Sequence, residues 1–383
     1  MKKKRIGILT GGGDVAPLNA VIYSARDAAI KNNYELIGFK NGWQGMLNDD
    51  YVSLTKTKID PLIGGTILKS SRVNLAKVEN GPSIVQSEFE KLHLDGLIVV
   101  GGEDTLSNSF LVKEIPQVLI SKTIDNDVGI INKNEIVNYF TLGHPTAAEK
   151  ISSFVSLREG LRTTAYSHER IMVVESMGMH AGWLGLSSSM GNPDFVIIPE
   201  FPVDYENLVE KVKERYLANK NVIIVVAEGA KWSNGEYIAA DYNEMDSFGH
   251  PRFKGAANVL ANKLKVDLKK YFDTRNVNSI NPSYLYRSGK PNKLDTTAAL
   301  KMGVESIRLL KDKRNGVNLL TTNFEKNKLK VVQHDVSNLD SIDRIHRFVT
   351  EQFYNVNKMQ VTKEGIKYLE KITPLIQSSK YGL

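Results

Sequence analysis

The stretch Arg5-Ile6-Gly7-Ile8-Leu9-Thr10-Gly11-Gly12-Gly13-Asp14-Val15-Ala16-Pro17-Leu18-Asn19 sets the reading of the whole chain. Ile6 to Leu9 is an apolar run without polar alternation, the pattern of a strand covered on both faces. The glycines behind it permit a sharp turn and let backbone N–H groups come close to an anion. A helix predicted from about Pro17 to Lys31 would add its positive end, and Pro17 suits a first helical turn. The loop is neither Gly-x-Gly-x-x-Gly nor a Walker A sequence, which would require Gly-Lys-Ser/Thr. Taken alone it fits a phosphate cradle and a ligand-free strand-to-helix turn equally.

The same alternation recurs outward along the chain. Strands are predicted at Tyr34 to Phe39, Asp95 to Val100 and Gln117 to Ile120, with a helix beginning near Thr105. After a long helix near Pro145 to Leu161 the pattern resumes. Strands at Arg170 to Val174, Phe195 to Ile198 and Val222 to Val226 alternate with helices at Ala181 to Met190 and Tyr205 to Ala218. Phe253 to Tyr271 and Thr296 to Leu310 read as helices. Gly229 to His250 reads as a surface insertion, and the tail from Ser341 as mostly helical. Two successive sets of βαβ units imply an α/β protein with two doubly wound, Rossmann-like lobes and mainly parallel sheets. One lobe is expected to hold residues 1–142 with about 285–340, the other 143–284 with helices of about 341–383. Ligands of open α/β sheets lie at the carboxyl ends of strands, which directs attention to the segments after Thr10, Val100, Ile120, Val174 and Val226.

Composition narrows the chemistry. The chain has no cysteine, so disulfides, thiolate catalysis and cysteine-held zinc are excluded. Its seven histidines are scattered without a His-Glu-x-x-His pair. No apolar run reaches membrane-spanning length, and the basic start at Met1 does not read as a signal peptide. The net charge of +7 favours anionic ligands. No basic tract is interleaved with aromatic residues, so nucleic acid is not an expected partner.

Each strand end carries unusual residues. Gly101-Gly102-Glu103-Asp104-Thr105 pairs glycines with carboxylates, which either stabilise a helix start or hold magnesium beside a phosphate cradle. Lys122-Thr123-Ile124-Asp125-Asn126-Asp127 puts two carboxylates two residues apart, pointing the same way in an extended segment. One could accept the proton of an attacking hydroxyl, whereas an Asp- and Asn-rich turn is the bland alternative. Met177-Gly178-Met179-His180, Ala227-Glu228-Gly229 and Tyr284-Leu285-Tyr286-Arg287-Ser288-Gly289 complete the set. Arg170 and Arg287 are suited to bidentate phosphate binding, and surface solvation is their ordinary alternative.

In combination these segments resemble the phosphofructokinase family. The resemblance rests on Gly11-Gly12-Gly13-Asp14, Gly64-Gly65-Thr66-Ile67-Leu68 with Ser71-Arg72, Gly-Gly-Glu-Asp-Thr, Thr-Ile-Asp-Asn-Asp, Ser167-His168 and Arg170 before Val173-Val174-Glu175 and Met177-Gly178, and Val226-Ala227-Glu228-Gly229. It spans about residues 4 to 312. It implies a cytoplasmic, magnesium-dependent glycolytic enzyme that phosphorylates the 1-hydroxyl of fructose 6-phosphate. In that reading Asp125 is the base, Asp127 its support, and Glu103 the metal ligand. Arg72, Lys122, Asp104 and the turn Gly11, Gly12, Gly13 serve the donor. Thr123, Asp125, Arg170, Met177, Gly178, Glu228, Tyr284 and Arg287 serve the sugar phosphate. Arg170 would reach a neighbouring subunit, implying a homo-oligomer, a dimer or tetramer.

Asp104 and Lys122 stand where ATP-using relatives commonly have glycine. A side chain at 104 crowds a nucleoside, and a lysine at 122 can pair with free pyrophosphate, so the pair resembles the pyrophosphate-dependent branch. Departures from the family pattern fall at Lys69 and Pro17, where many relatives have glycine, at Met179, where arginine is usual, and at Tyr284 to Gly289. An ATP-dependent kinase and a non-catalytic sugar-phosphate-binding paralogue are the competing readings.

Overall fold

The computed structural model describes residues 4–129, 131–132, 135–245, 251–312, 316–339 and 347–373. The chain threads β1 (Lys4–Thr10), α1 (Leu18–Lys31), β2 (Tyr34–Phe39), β3 (Tyr51–Ser53), β4 (Leu94–Gly101), α2 (Glu103–Ser107), β5 (Gln117–Thr123) and β6 (Leu142–Gly143). It continues through β7 (Ile171–Ser176), β8 (Phe195–Ile197), α3 (Tyr205–Asn219), β9 (Val222–Ala227), α4 (Ala256–Asp267) and β10 (Val277–Ile280). It ends with α5 (Lys293–Lys311), β11 (Val317–Glu325), β12 (Lys328–Asp335) and a short helix at Lys363–Leu369. These elements group into two units, residues 1–146 with 287–347 and residues 147–286 with 348–383.

The sheet of the first unit runs β12-β11-β5-β4-β1-β2-β3, with β6 beside β5. Its central strands are parallel; only β3 and β12 run antiparallel to their neighbours. Strand order reverses between β1 and β4, and there a doubly wound sheet opens a crevice at its carboxyl edge. Both faces of the central strands are covered: Ile6, Ile8, Leu97, Ile98, Val99 and Val100 are all 0% exposed. Helix α1 buries Leu18, Val21, Ile22, Ala25, Ala28 and Ala29, one face at helical spacing. It packs against α5 where Gly303 comes so close to Ser24 and Ala25 that a Cβ there would lie 2.2 Å from Ser24 Oγ. Asn292 caps α5 by accepting from the Asp295 N–H.

The second unit is built on the wholly parallel sheet β8-β9-β7-β10. Trp183, fully buried, packs its ring against Phe353 and Tyr368 at 5.3 and 5.2 Å, which fastens the C-terminal segment to this unit. Asp194 is buried between Arg162 and Arg215 and also accepts from the Ile223 N–H. No helix among the described residues is long and apolar enough to cross a membrane.

Several sequence expectations need correction. The long helix expected from Pro145 to Leu161 stops at Val155, and a separate helix spans Arg162–Ser167. The tail is not mostly helical among its described residues: a small strand pair, Tyr354–Asn355 with Gln360–Val361, precedes a seven-residue helix. Strands β11 and β12 were not anticipated: β11 is buried from Val317 to Thr322 but carries Asn318, Thr321 and Thr322 within that run, which breaks the apolar signal, and β12 is the largely polar edge strand beside it. Within the expected surface insertion, Ala230, Ile238 and Ala239 are buried, and residues 246–250 of it lie outside the described residues.

Gly303→Ala is expected to destabilise the first unit by roughly 1–3 kcal/mol, the usual cost of overpacking a tight contact. A lower urea midpoint at unchanged m value would show this; an unchanged midpoint would mean that α1 and α5 can separate freely.

Candidate active site

The turn after β1 is packed so closely that its glycines have no room for side chains. A Cβ on Gly11 would lie 2.6 Å from Thr105 Oγ1, and one on Gly101 would lie 2.3 Å from Thr105 Cβ. Thr105 therefore wedges between the turns that follow β1 and β4, and Trp43 Nε1 donates to its carbonyl at 2.9 Å. Gly12 has φ +77°, the left-handed region that glycine tolerates without strain. A Cβ there would sit 2.9 Å from Lys122 Nζ. The segment from Gly64 to Arg72 closes over this turn. Gly12 N–H donates to Ser71 O at 2.9 Å, Ser70 Oγ donates to Gly12 O, and the Asn19 amide bridges Ile63 O and Ile67 N–H.

Lys122 stands at the end of β5 with its side chain directed to Gly13 O, and only 3% of its surface is exposed. Its pKa is lowered to about 7, chiefly by burial and also by the Arg287 and Arg72 charges, with Asp14 and Asp127 acting in the opposite sense. These influences gather Lys122, Arg72, Arg287, Asp14 and Asp127 around one locus of the first unit. Arg287 reaches it because Gly64 touches Gly289, where a Cβ on Gly64 would meet Gly289 O at 2.2 Å. The Arg287 guanidinium then lies against Gly13, whose added Cβ would be 2.3 Å from Nη1.

Beyond Thr123, the last residue of β5, Ile124 to Asp127 turn instead of continuing in an extended segment. Asn126 adopts φ +58°, which reverses the backbone between the two carboxylates. Its fully buried carboxamide accepts from Thr141 N–H at 3.0 Å, and Thr141 Oγ1 donates to Thr123 O at 2.7 Å. His144 Nδ1–H donates to Ile124 O at 2.7 Å. Burial holds its imidazole at about pKa 3, so the ring stays neutral and a constant donor. Arg347 N–H donates to Asp127 O at 2.8 Å. Asp125 and Asp127 are half-buried, Thr123 likewise, and Asp125 N–H is held by Thr123 Oγ1 at 3.1 Å.

Glu103 and Asp104 occupy the first turn of α2, Glu103 half-buried and Asp104 exposed; Arg72 is exposed. Lys69, where many relatives have glycine, takes φ +60°, so this lysine occupies a conformation glycine would adopt unstrained.

In the second unit the tips of β7 and β9 bring Met177, Gly178 and Glu228 together. Gly178 has φ +120°, and its N–H donates to Glu228 Oε1 at 3.0 Å. Glu228 N–H donates to Ser176 O at 2.9 Å. Arg170, by contrast, folds onto Thr164, donating to its carbonyl at 3.0 Å and to its hydroxyl, and Tyr284 is 72% exposed. Thr141 and His144 carry no local sequence signal for the support they give; only the fold reveals it.

The phosphofructokinase family model matches residues 5–310. The chain is 37% identical over 323 residues to the pyrophosphate–fructose 6-phosphate 1-phosphotransferase of Dictyoglomus thermophilum, covering 83% of this chain and 89% of that one. It is also 37% identical over 312 residues to the ATP-dependent 6-phosphofructokinase 3 of Streptomyces coelicolor, covering 79% of this chain and 86% of that one. The crystal structure of a pyrophosphate-dependent phosphofructokinase from Nitrosospira multiformis superposes with TM-score 0.81 at 19% identity, covering 100% of this chain and 95% of that one. That likeness establishes the fold alone. The two donor types occur among relatives at the same identity, so identity does not separate them.

The turn at Asn126 generates a stability prediction. Asn126→Gly keeps the left-handed backbone but strands the Thr141 N–H, a loss of about 1–3 kcal/mol. Asn126→Ala adds backbone strain of roughly 1 kcal/mol. Equal losses by urea denaturation would contradict the assignment of strain to this residue.

Proposed function

The chain belongs to the phosphofructokinase family, and from that premise we propose that it transfers a phosphoryl group reversibly from inorganic pyrophosphate to the 1-hydroxyl of fructose 6-phosphate, with magnesium. The observation that carries the donor assignment is Lys122, buried beneath the Gly12 turn with its ammonium on Gly13 O. A cation there suits a compact diphosphate lying along the turn, with Arg72 and Arg287 within electrostatic reach. Asp104, exposed on the first turn of α2, supports the same reading, because its charge repels a third phosphate and its bulk takes space a nucleoside would need.

Phosphoryl transfer demands positioning and charge neutralisation more than covalent chemistry. Asp125, presented by the Asn126 turn, would accept the proton of the sugar hydroxyl as it attacks, and Asp127 would orient it. Thr123 would contact the sugar. Arg170, Met177, Gly178, Glu228 and Tyr284 are the proposed sugar-phosphate residues, and Arg287 the cation for either phosphate. Magnesium, when bound, neutralises charge on the transferred group. Glu103 would hold it. Among the described residues no group of three or more His, Asp or Glu side chains could form a protein-only cage, which fits an ion bound by one carboxylate, donor phosphates and water. Assembly into a homo-oligomer, with Arg170 serving a neighbouring copy, belongs to the same proposal. ATP-dependent transfer is the second reading, favoured by the equal identity to an ATP-dependent relative.

Purified protein assayed with magnesium, fructose 6-phosphate and either donor tests the proposal. Orthophosphate release with pyrophosphate, at kcat/KM at least tenfold above that for ATP, is expected; preferential ADP formation would overturn it. Asp125→Asn should lower kcat by about 10²–10⁴-fold, the range of general base catalysis, with KM values nearly unchanged. Turnover near that of the parent would remove Asp125 from this role.

A further inference from the structure

Glu175 belongs to the segment Val173-Val174-Glu175 before Met177-Gly178, yet the proposed chemistry gives it no task. It stands one residue from the end of β7 and is 7% exposed. Its Oε2 accepts from Ala257 N–H at 3.0 Å, in the first turn of α4, where Ala256 N–H also faces it. Its Oε1 accepts from Asn281 Nδ2 at 2.8 Å, directly after β10. Its main-chain carbonyl accepts from the buried Tyr286 hydroxyl at 2.9 Å. Gly255, with φ +85°, draws the start of α4 so close that a Cβ there would lie 3.1 Å from Oε2.

A buried carboxylate is a costly way to join three elements if stability alone is at stake. Burial, with Glu228 as a lesser contributor, pushes its pKa up, and the N–H groups of Ala257 and Ala256 oppose that rise. Its hydrogen-bond partners among the described residues are neutral N–H donors, and the positive end of α4 favours its charge. What the arrangement gains is position. Glu175 and Asn281 lie at the carboxyl ends of β7 and β10, where open sheets bind ligands, and Ala257 at the start of α4 is drawn to the same end. Two and three residues beyond it lie Met177 and Gly178, and Gly178 N–H holds the Glu228 carboxylate at 3.0 Å.

We propose that Glu175 is a positioning residue for the acceptor: its carboxylate clamps the start of α4 and the segment after β10 to the tip of β7, fixing the Met177–Gly178 turn that orients Glu228. The inference rests on the reading of Met177, Gly178 and Glu228 as acceptor-binding residues.

Three variants test it. Glu175→Ala removes the clamp. Glu175→Gln can keep it, with Oε1 accepting from Ala257 and Nε2 donating to Asn281 once that amide rotates. Asn281→Ala removes one arm at an exposed position and serves if Glu175→Ala does not fold. Glu175→Ala is expected to raise the KM for fructose 6-phosphate tenfold or more, with kcat and the KM for the phosphoryl donor within threefold of the parent. Asn281→Ala should raise it about threefold to tenfold, and Glu175→Gln should stay within threefold of the parent. A fall in kcat alone, equal changes in both KM values, or a glutamine variant no better than alanine would overturn the proposal. Hydrogen exchange without substrates separates this from the functional reading. Amides of Ala256, Ala257 and residues 278–286 should exchange faster in Glu175→Ala, or in Asn281→Ala for 278–286, than in Glu175→Gln. Unchanged exchange overturns the clamp. Faster exchange in a protein whose parent form is inactive on fructose 6-phosphate retains the clamp and refutes the acceptor.

Discussion

The first unit depends on a lysine kept where charge is disfavoured. Lys122 is enclosed under a glycine turn, with two arginines within electrostatic reach and a backbone carbonyl as its hydrogen-bond acceptor. Its pKa near 7, against 10.5 for an ordinary lysine, means that the folded chain binds fewer protons than the unfolded one between those values. Stability therefore rises with pH across that window, and below about pH 7 the site carries the full cost, on the order of 5 kcal/mol. Such a cost is what a preorganised anion site carries: Lys122, Arg72 and Arg287 share one locus that Asp14 and Asp127 only partly offset, and a bound polyanion restores the balance.

Glycine makes this enclosure possible. Thr105 fills the space beside Gly11 and Gly101, Lys122 the space beside Gly12, and Arg287 the space beside Gly13. Side chains from the turn after β4, the end of β5 and the segment after Tyr286 thus converge on backbone that presents no side chains of its own. In the second unit the corresponding work falls to carboxylates. Glu228 and Glu175 fix the tips of β7, β9, β10 and α4 by accepting from backbone and amide N–H groups.

Much of this was legible in the sequence. The run Ile6 to Leu9 before three glycines specified a buried strand and a close turn, because both follow from local sterics and burial. The strand ends then pointed to the residues worth reading. The turn at Asn126 was not legible: Asp125-Asn126-Asp127 fits an extended segment as well as a reversal, and the choice is made by Thr141 and His144 from farther along the chain. The location of Arg287 beside Gly13 was equally hidden, since it arises from the close approach of Gly64 and Gly289. Strand β11 escaped because buried Asn318, Thr321 and Thr322 interrupt its apolar run, and β12 because an edge strand is largely polar.

The account turns on a lysine amine that is mostly neutral above pH 7 until a phosphate anion arrives and it takes up a proton. Calorimetric titration of the protein with magnesium pyrophosphate at pH 8, in buffers of different ionisation enthalpy, counts the protons taken up on binding. The parent protein should take up close to one proton more than Lys122→Arg, whose guanidinium is charged throughout. Equal proton uptake by the two proteins would contradict the central claim, because Lys122 would then have been charged before the donor bound.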